Sequence, residues 1–127
     1  MNDTLTNSIV VTAISSYMEE QSAPDEARYV FSYTITIENR GDASAQLLTR
    51  NWLITDANGR VQEVHGDGVI GEQPTLPSGG RHTYSSGAIL KTPVGTMEGS
   101  YGMRSAGGEH FEARIPVFRL AIPAILN

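Results

Sequence analysis

The 127-residue chain contains no cysteine. That absence removes disulfides, thiolate nucleophiles and every cysteine-based zinc site. Basic residues are scarce as well: nine Lys and Arg stand against fourteen Asp and Glu, for a formal charge of −5 and a pI near 5.0. A chain so charged has no electrostatic footprint for gripping a phosphate backbone, so direct nucleic-acid binding is not expected. The first twenty residues hold Asp3, Glu19 and Glu20 but neither Lys nor Arg. No apolar run there is long enough for a signal peptide or a membrane span. The expectation is a cytoplasmic protein with no membrane partner. Helix signals are missing too, because no window of ten or more residues carries an apolar stripe of period 3.6 free of Gly, Pro and β-branched clusters.

What the chain does have is 13 Gly, 6 Pro and apolar alternation, the makings of many short strands joined by tight turns. Segment 29–38 is the clearest: Tyr29, Phe31, Tyr33, Ile35 and Ile37 alternate with Ser32, Thr34, Thr36 and Glu38, giving one core face and one wet face. The run stops at Asn39, Arg40, Gly41 and Asp42, where a hairpin or a sheet crossing is expected. Further strands are expected over 9–14, 46–55, 60–65, 81–90, 97–103 and 109–118, which makes about seven. Asn58-Gly59 is a hairpin signal. Pro116 demotes the last strand to an edge or a bulge. The pattern predicts an all-β fold, a two-sheet antiparallel sandwich of immunoglobulin or fibronectin type III character, filling residues 1–127 as one domain. Residues 1–7 are expected to be without order.

One motif resembles a cofactor site. Gly66, Gly68 and Gly71 form a GxGxxG that follows a strand. In a dinucleotide-binding fold such glycines let the backbone approach a pyrophosphate at a helix N-terminus. Here Pro74 and Pro77 follow at once and leave no room for that helix. The expected ribose-binding acid is replaced by Leu90, Lys91 and Thr92. Beside true dinucleotide binding, two readings stand: an anion nest of backbone amides, or a structural loop whose glycines permit bulges and close strand approach. Asp67 would repel a phosphate in the first case.

Other chemistry is thin. His65, His82 and His110 are far apart with no i, i+4 pair, so no metal site is expected. Ser85-Ser86-Gly87 lacks a GxSxG elbow and reads as strand hydroxyls. The aromatic set Tyr29, Phe31, Tyr33, Trp52, Tyr84, Tyr101, Phe111 and Phe118 reads as core. Eight of the nine basic residues are Arg, which suits protein interfaces and anion sites but also follows from a GC-rich coding sequence. The apolar end, 120–126, is expected to pack on its own domain or, less simply, on a second copy.

Five segments resemble the ApaG family: 24–31 (PDEARYVF), 50–55 (RNWLIT), 65–74 (HGDGVIGEQP), 92–99 (TPVGTMEG) and 115–123 (IPVFRLAIP). The resemblance runs from about residue 8 to residue 126. It implies a fibronectin type III-like sandwich and a family without a settled activity, labelled with cobalt and magnesium efflux. Related domains are appended to an F-box protein and to a DNA-polymerase-interacting protein, which implies an interaction module. The family's pyrophosphate motif maps onto Gly66, Gly68 and Gly71. Where members commonly carry Pro-Gly-Glu, this chain has Ser78-Gly79-Gly80. The expectation is therefore a non-enzymatic protein-binding adaptor without cofactor, monomeric or weakly dimeric. The alternative is a sensor of a phosphorylated nucleotide or divalent metal at the 66–71 loop.

Overall fold

The computed structural model describes residues 3–123. A short helix, α1 (Asp3–Ser8), leads into eight strands: β1 (Ile9–Tyr17), β2 (Tyr29–Asn39), β3 (Ala45–Asp56), β4 (Val61–Asp67), β5 (Thr75–Leu76), β6 (Arg81–Leu90), β7 (Val94–Ser105) and β8 (His110–Ala121). They form two antiparallel sheets, β1-β2-β6 and β4-β3-β7-β8, with β5 added to β3. The all-β sandwich is the expected one, with one strand more than expected. That strand, β5, is two residues long and flanked by Pro74 and Pro77, too short for any period to show. Residues 3–7, expected to be without order, are helical instead, and Leu5 packs against the core.

Period two does the work in β2, whose Phe31, Tyr33, Ile35 and Ile37 all point into the core. β2 belongs to one sheet and β3 to the other, so the turn after Asn39 is a sheet crossing. Asn39 clasps it. Its side chain is buried, with Nδ2 donating to the Ala43 and Leu76 carbonyls (2.9 Å each) and Oδ1 accepting from the Gly41 amide (2.9 Å). A buried amide so fully used stabilises the crossing, because losing it would strand three backbone groups.

The two sides of the sandwich differ. On one, β1 runs beside β8, and Ser15 Oγ donates to the Arg119 carbonyl at 2.7 Å. Pro116 sits on β8, an edge strand, opposite a register shift between Met97 and Gly99, so the expected edge and the expected bulge are both present. On the other side the edges are β4 and β6, and no strand lies between them. Of the apolar chain end, Leu120 is buried and Ile122 packs on the core, while 124–126 lie outside the described residues.

Inside, Trp52 meets Tyr33, Tyr101 and Phe118 at centroid distances of 5.4, 6.4 and 6.0 Å, edge to face. The Tyr84 and Tyr101 hydroxyls, from opposite sheets, share a 2.5 Å hydrogen bond. Burial pushes the Tyr84 hydroxyl from the ordinary 10.0 up to about 12 and pushes Tyr101 up as well. An unfolded tyrosine loses its proton near pH 10, whereas these two keep theirs in the folded chain. The unfolded state then binds fewer protons, and stability must fall as pH rises from about 10 through about 12. We expect about 1.4 kcal/mol lost per pH unit for each group in that window. Urea titrations across the window check this, and a Tyr84→Phe, Tyr101→Phe chain should lose the dependence while costing stability at neutral pH.

Candidate functional site

The glycine motif lies where β4 leaves the sheet. Gly66 pairs with Arg50 across β3, and the Arg50 guanidinium lies flat over it: a Cβ on Gly66 would sit 2.6 Å from the guanidinium carbon. From there Arg50 Nη1 donates to the Asp67 carbonyl (2.9 Å) and to the Gly68 carbonyl (3.0 Å). Gly68 has φ +63, and a Cβ there would meet the Glu72 carbonyl oxygen at 2.2 Å. Only glycine fits both demands.

Val69 is buried and anchors a tight turn. Val69 and Glu72 exchange both backbone hydrogen bonds (2.8 and 3.0 Å) around Ile70 (φ +48) and Gly71 (φ +74). Positive φ at both central residues is the type I′ turn that suits a two-residue hairpin. A β-branched residue is a costly occupant of the first position. Ile70 is nonetheless held there with its side chain 63% exposed.

The loop is also locked to a bulge in β3, where the register shifts between Leu47 and Thr49. The carbonyl of Leu48, freed by that shift, accepts from the Gly68 amide (2.8 Å) and from Gln73 Nε2 (2.9 Å). The amides of Gly68, Val69 and Glu72 are therefore spent within the chain, and the carbonyls of Asp67 and Gly68 face a guanidinium. The helix that a dinucleotide would need is replaced by β5. All three glycines of the motif have a backbone or packing duty: room for Arg50, room for Glu72, and a positive φ.

Beside the loop, Arg50, Trp52, Tyr33, Tyr84, Ser86 and Ile70 line a cleft of about 180 Å³. It opens on the side of the free edges of β4 and β6. Along the same side run two further hollows, of about 590 and 260 Å³, which share Ile54, Gln62 and Ile89 as walls. Val61, Ile70 and Ile89 are 58, 63 and 50% exposed on this side. Sequence reasoning singled out the glycines but neither Arg50 nor the open side. The Arg50–Gly66 pairing was the only available signal, and it needs the strand register to be known.

The other candidates are dispersed. His65 Nδ1 donates to Asn51 Oδ1 (2.7 Å) and its Nε2 lies 3.6 Å from Glu63 on an exposed face. His82 is on β6 and His110 on β8. Ser85 Oγ shares a hydrogen bond with Thr34 (2.7 Å), a cross-strand hydroxyl pair as its strand pattern suggests.

With this geometry in hand, comparison with known proteins places the chain. A family model described as the ApaG domain matches residues 19–105. The chain belongs to the ApaG family. It is 54% identical to Protein ApaG of Pseudomonas paraeruginosa over 127 residues, the whole of both chains. A structural-genomics target solved by X-ray crystallography is 54% identical, with a TM-score of 0.92 over 97% of this chain and 93% of that one. A Bordetella pertussis protein described as ApaA is 46% identical, with a TM-score of 0.88 over 91% of this chain and 94% of the other. For this ApaG-family chain, then, the duties of the three glycines give a ranking. Gly68→Ala should cost about 2 kcal/mol or more, from backbone clash and αL strain together, and Gly71→Ala about 1 kcal/mol from αL strain alone. Gly66→Ala should cost less in an Arg50→Ala background than in the native one, because it displaces that side chain. Denaturant melts of the single and double variants check the order, and equal costs would contradict it.

Proposed function

We propose that this chain is a non-enzymatic protein-binding domain of the cytoplasm, and that the open side between β4 and β6 is its binding face. The observation that carries the reading is the run of hollows along this side, with exposed Val61 and Ile89 on their walls and Ile70 on that of the adjoining cleft; Ile14 and Val117, exposed on β1 and β8, adjoin no such run among the hollows described. Solvent-exposed aliphatic groups lined up on a concave surface are what a partner covers. Side chains held on strands and on a locked turn lose little freedom when a partner arrives, which favours binding. Among the described residues no helix is long and apolar enough to cross a membrane. In this reading any influence on cobalt or magnesium efflux is exerted through the partner. Affinity capture from a native lysate tests it, with Val61→Asp, Ile89→Asp as the control. A specific protein should be held by the native chain and lost by the variant; recovery of nothing specific, or equal recovery by both, would sink the idea.

A second reading has one feature in its favour: a guanidinium at the wall of the cleft beside the glycine loop. Arg50 spends Nη1 on two carbonyls, and an arginine has further N–H donors to offer a phosphate. A phosphorylated nucleotide held there would make the chain a sensor. Titration with nucleotides, cobalt and magnesium, followed by amide NMR, separates the two: saturable shifts confined to 65–73 support a sensor, and their absence supports the adaptor alone.

A further inference from the structure

The open side has a chemistry that narrows the partner. We propose that it receives an extended, acidic stretch of a partner protein, laid in as a strand against the free edge of β6 and facing β4. This deepens the protein-binding reading and rests on it.

Three observations carry the proposal. The first is charge. The hollows and cleft of this side are walled by Arg28, Arg50, Arg60 and Lys91, four of the nine basic residues, and by Asp56 alone of the fourteen acidic ones. Asp56 is engaged by its own turn, with Oδ1 accepting from the Asn58 and Arg60 amides (2.8 and 3.0 Å). Arg28, Arg60 and Lys91 are exposed, and the ion pairs among the described residues involve Arg40, Arg81, His65 and His82 instead. Glu63 and Asp67 on β4 and Glu72 after the turn are exposed nearby but wall none of these hollows; on a molecule of net charge −5 the hollows themselves are thus a local positive band, and an acidic segment is its complement.

The second is the state of the edges. Natural sandwiches protect edge strands with proline, charged side chains or a bulge. β8 has its proline and its bulge. β6 (RHTYSSGAIL) has no proline and no Asp, Glu, Lys or Arg after Arg81, whereas β4 (VQEVHGD) carries Glu63 and Asp67; each pairs with its inner neighbour in unbroken register, so β6 is the barer edge. Alternate backbone N–H and C=O groups of β6 therefore point outward without a strand to meet them. A partner strand can use them all, in the manner of β-augmentation.

The third is Gly87, near the middle of β6 and on the wall of the larger hollow. A Cβ there would meet only the Phe31 carbonyl, at 3.4 Å, an ordinary contact. Gly87 has no positive φ, so nothing in the domain's own packing demands glycine. The missing side chain leaves room for another backbone to come close. The length suits as well: β4 offers seven residues, about 23 Å at roughly 3.3 Å each, which is ample for a short linear segment.

The test uses the full chain and a capped peptide of alternating glutamate and valine, seven residues long to match β4. Amide NMR should show saturable shifts concentrated in β4, β6 and the 54–60 and 28–30 neighbourhoods, weakening as salt is raised. The same peptide with lysine for glutamate should bind roughly tenfold more weakly or not at all. Methylating its alternate backbone nitrogens should abolish binding, because strand addition needs them. A chain carrying Arg28→Glu, Arg60→Glu and Lys91→Glu, all on exposed positions, should invert the preference between the two peptides. Equal binding of both peptides, shifts away from this side, or indifference to N-methylation would each overturn the proposal. Capture of the same lysate partner by the charge-reversed chain would overturn this inference while leaving the protein-binding reading intact.

Discussion

The sandwich depends on one polar contact in an apolar place. Tyr84 on β6 and Tyr101 on β7 reach from opposite sheets and join their hydroxyls inside the core. Each ring brings a large apolar body inward, and each hydroxyl would be a costly orphan without the other. The pair therefore fixes how the two sheets sit over one another, and it does so next to the side that no strand closes. Trp52 and Tyr33 complete the same cluster. The walls of the cleft beside the glycine loop are the outer surface of this cluster, so the cleft inherits the rigidity of the core.

Much of the fold was legible because period two survives wherever one strand face is dry. β6 is found with the bounds that alternation implies, 81–90, and β2 runs one residue longer than its pattern. β1, β3 and β7 extend further than expected, since their ends continue as paired backbone after the apolar alternation has stopped. The same physics hid β5, which is defined by two residues of pairing and by the burial of Leu76. Helix α1 escaped notice because six polar-rich residues carry no periodic stripe, and it is Leu5 against the core that holds them.

The candidate site was legible only in part. Glycine announces a special backbone but not its purpose, and a GxGxxG reads alike whether it makes room for a ligand or for the chain's own groups. Here the space over Gly66 is filled by Arg50 from a strand sixteen positions earlier, and the space beside Gly68 by the Glu72 carbonyl. Those occupants follow from the β3–β4 register and from the bulge at Leu48, both properties of pairing rather than of composition. The open side was invisible for a related reason. Which strands end up at the margins of two sheets is settled by topology, and no local pattern in β4 or β6 marks them as marginal.

Pro116 and the bulge opposite it have an effect that reaches beyond β8. An edge blocked by proline cannot be continued by a neighbouring molecule, and β1 is occupied by its own contact with β8. Both edges that remain available therefore open onto a single trough. A segment settling there, as proposed, would cover both at once and leave no third row of amides on which another molecule could build. On the proposed reading, association through this trough would stop after one guest, and a domain with two exposed edges would be spared growth into ribbons.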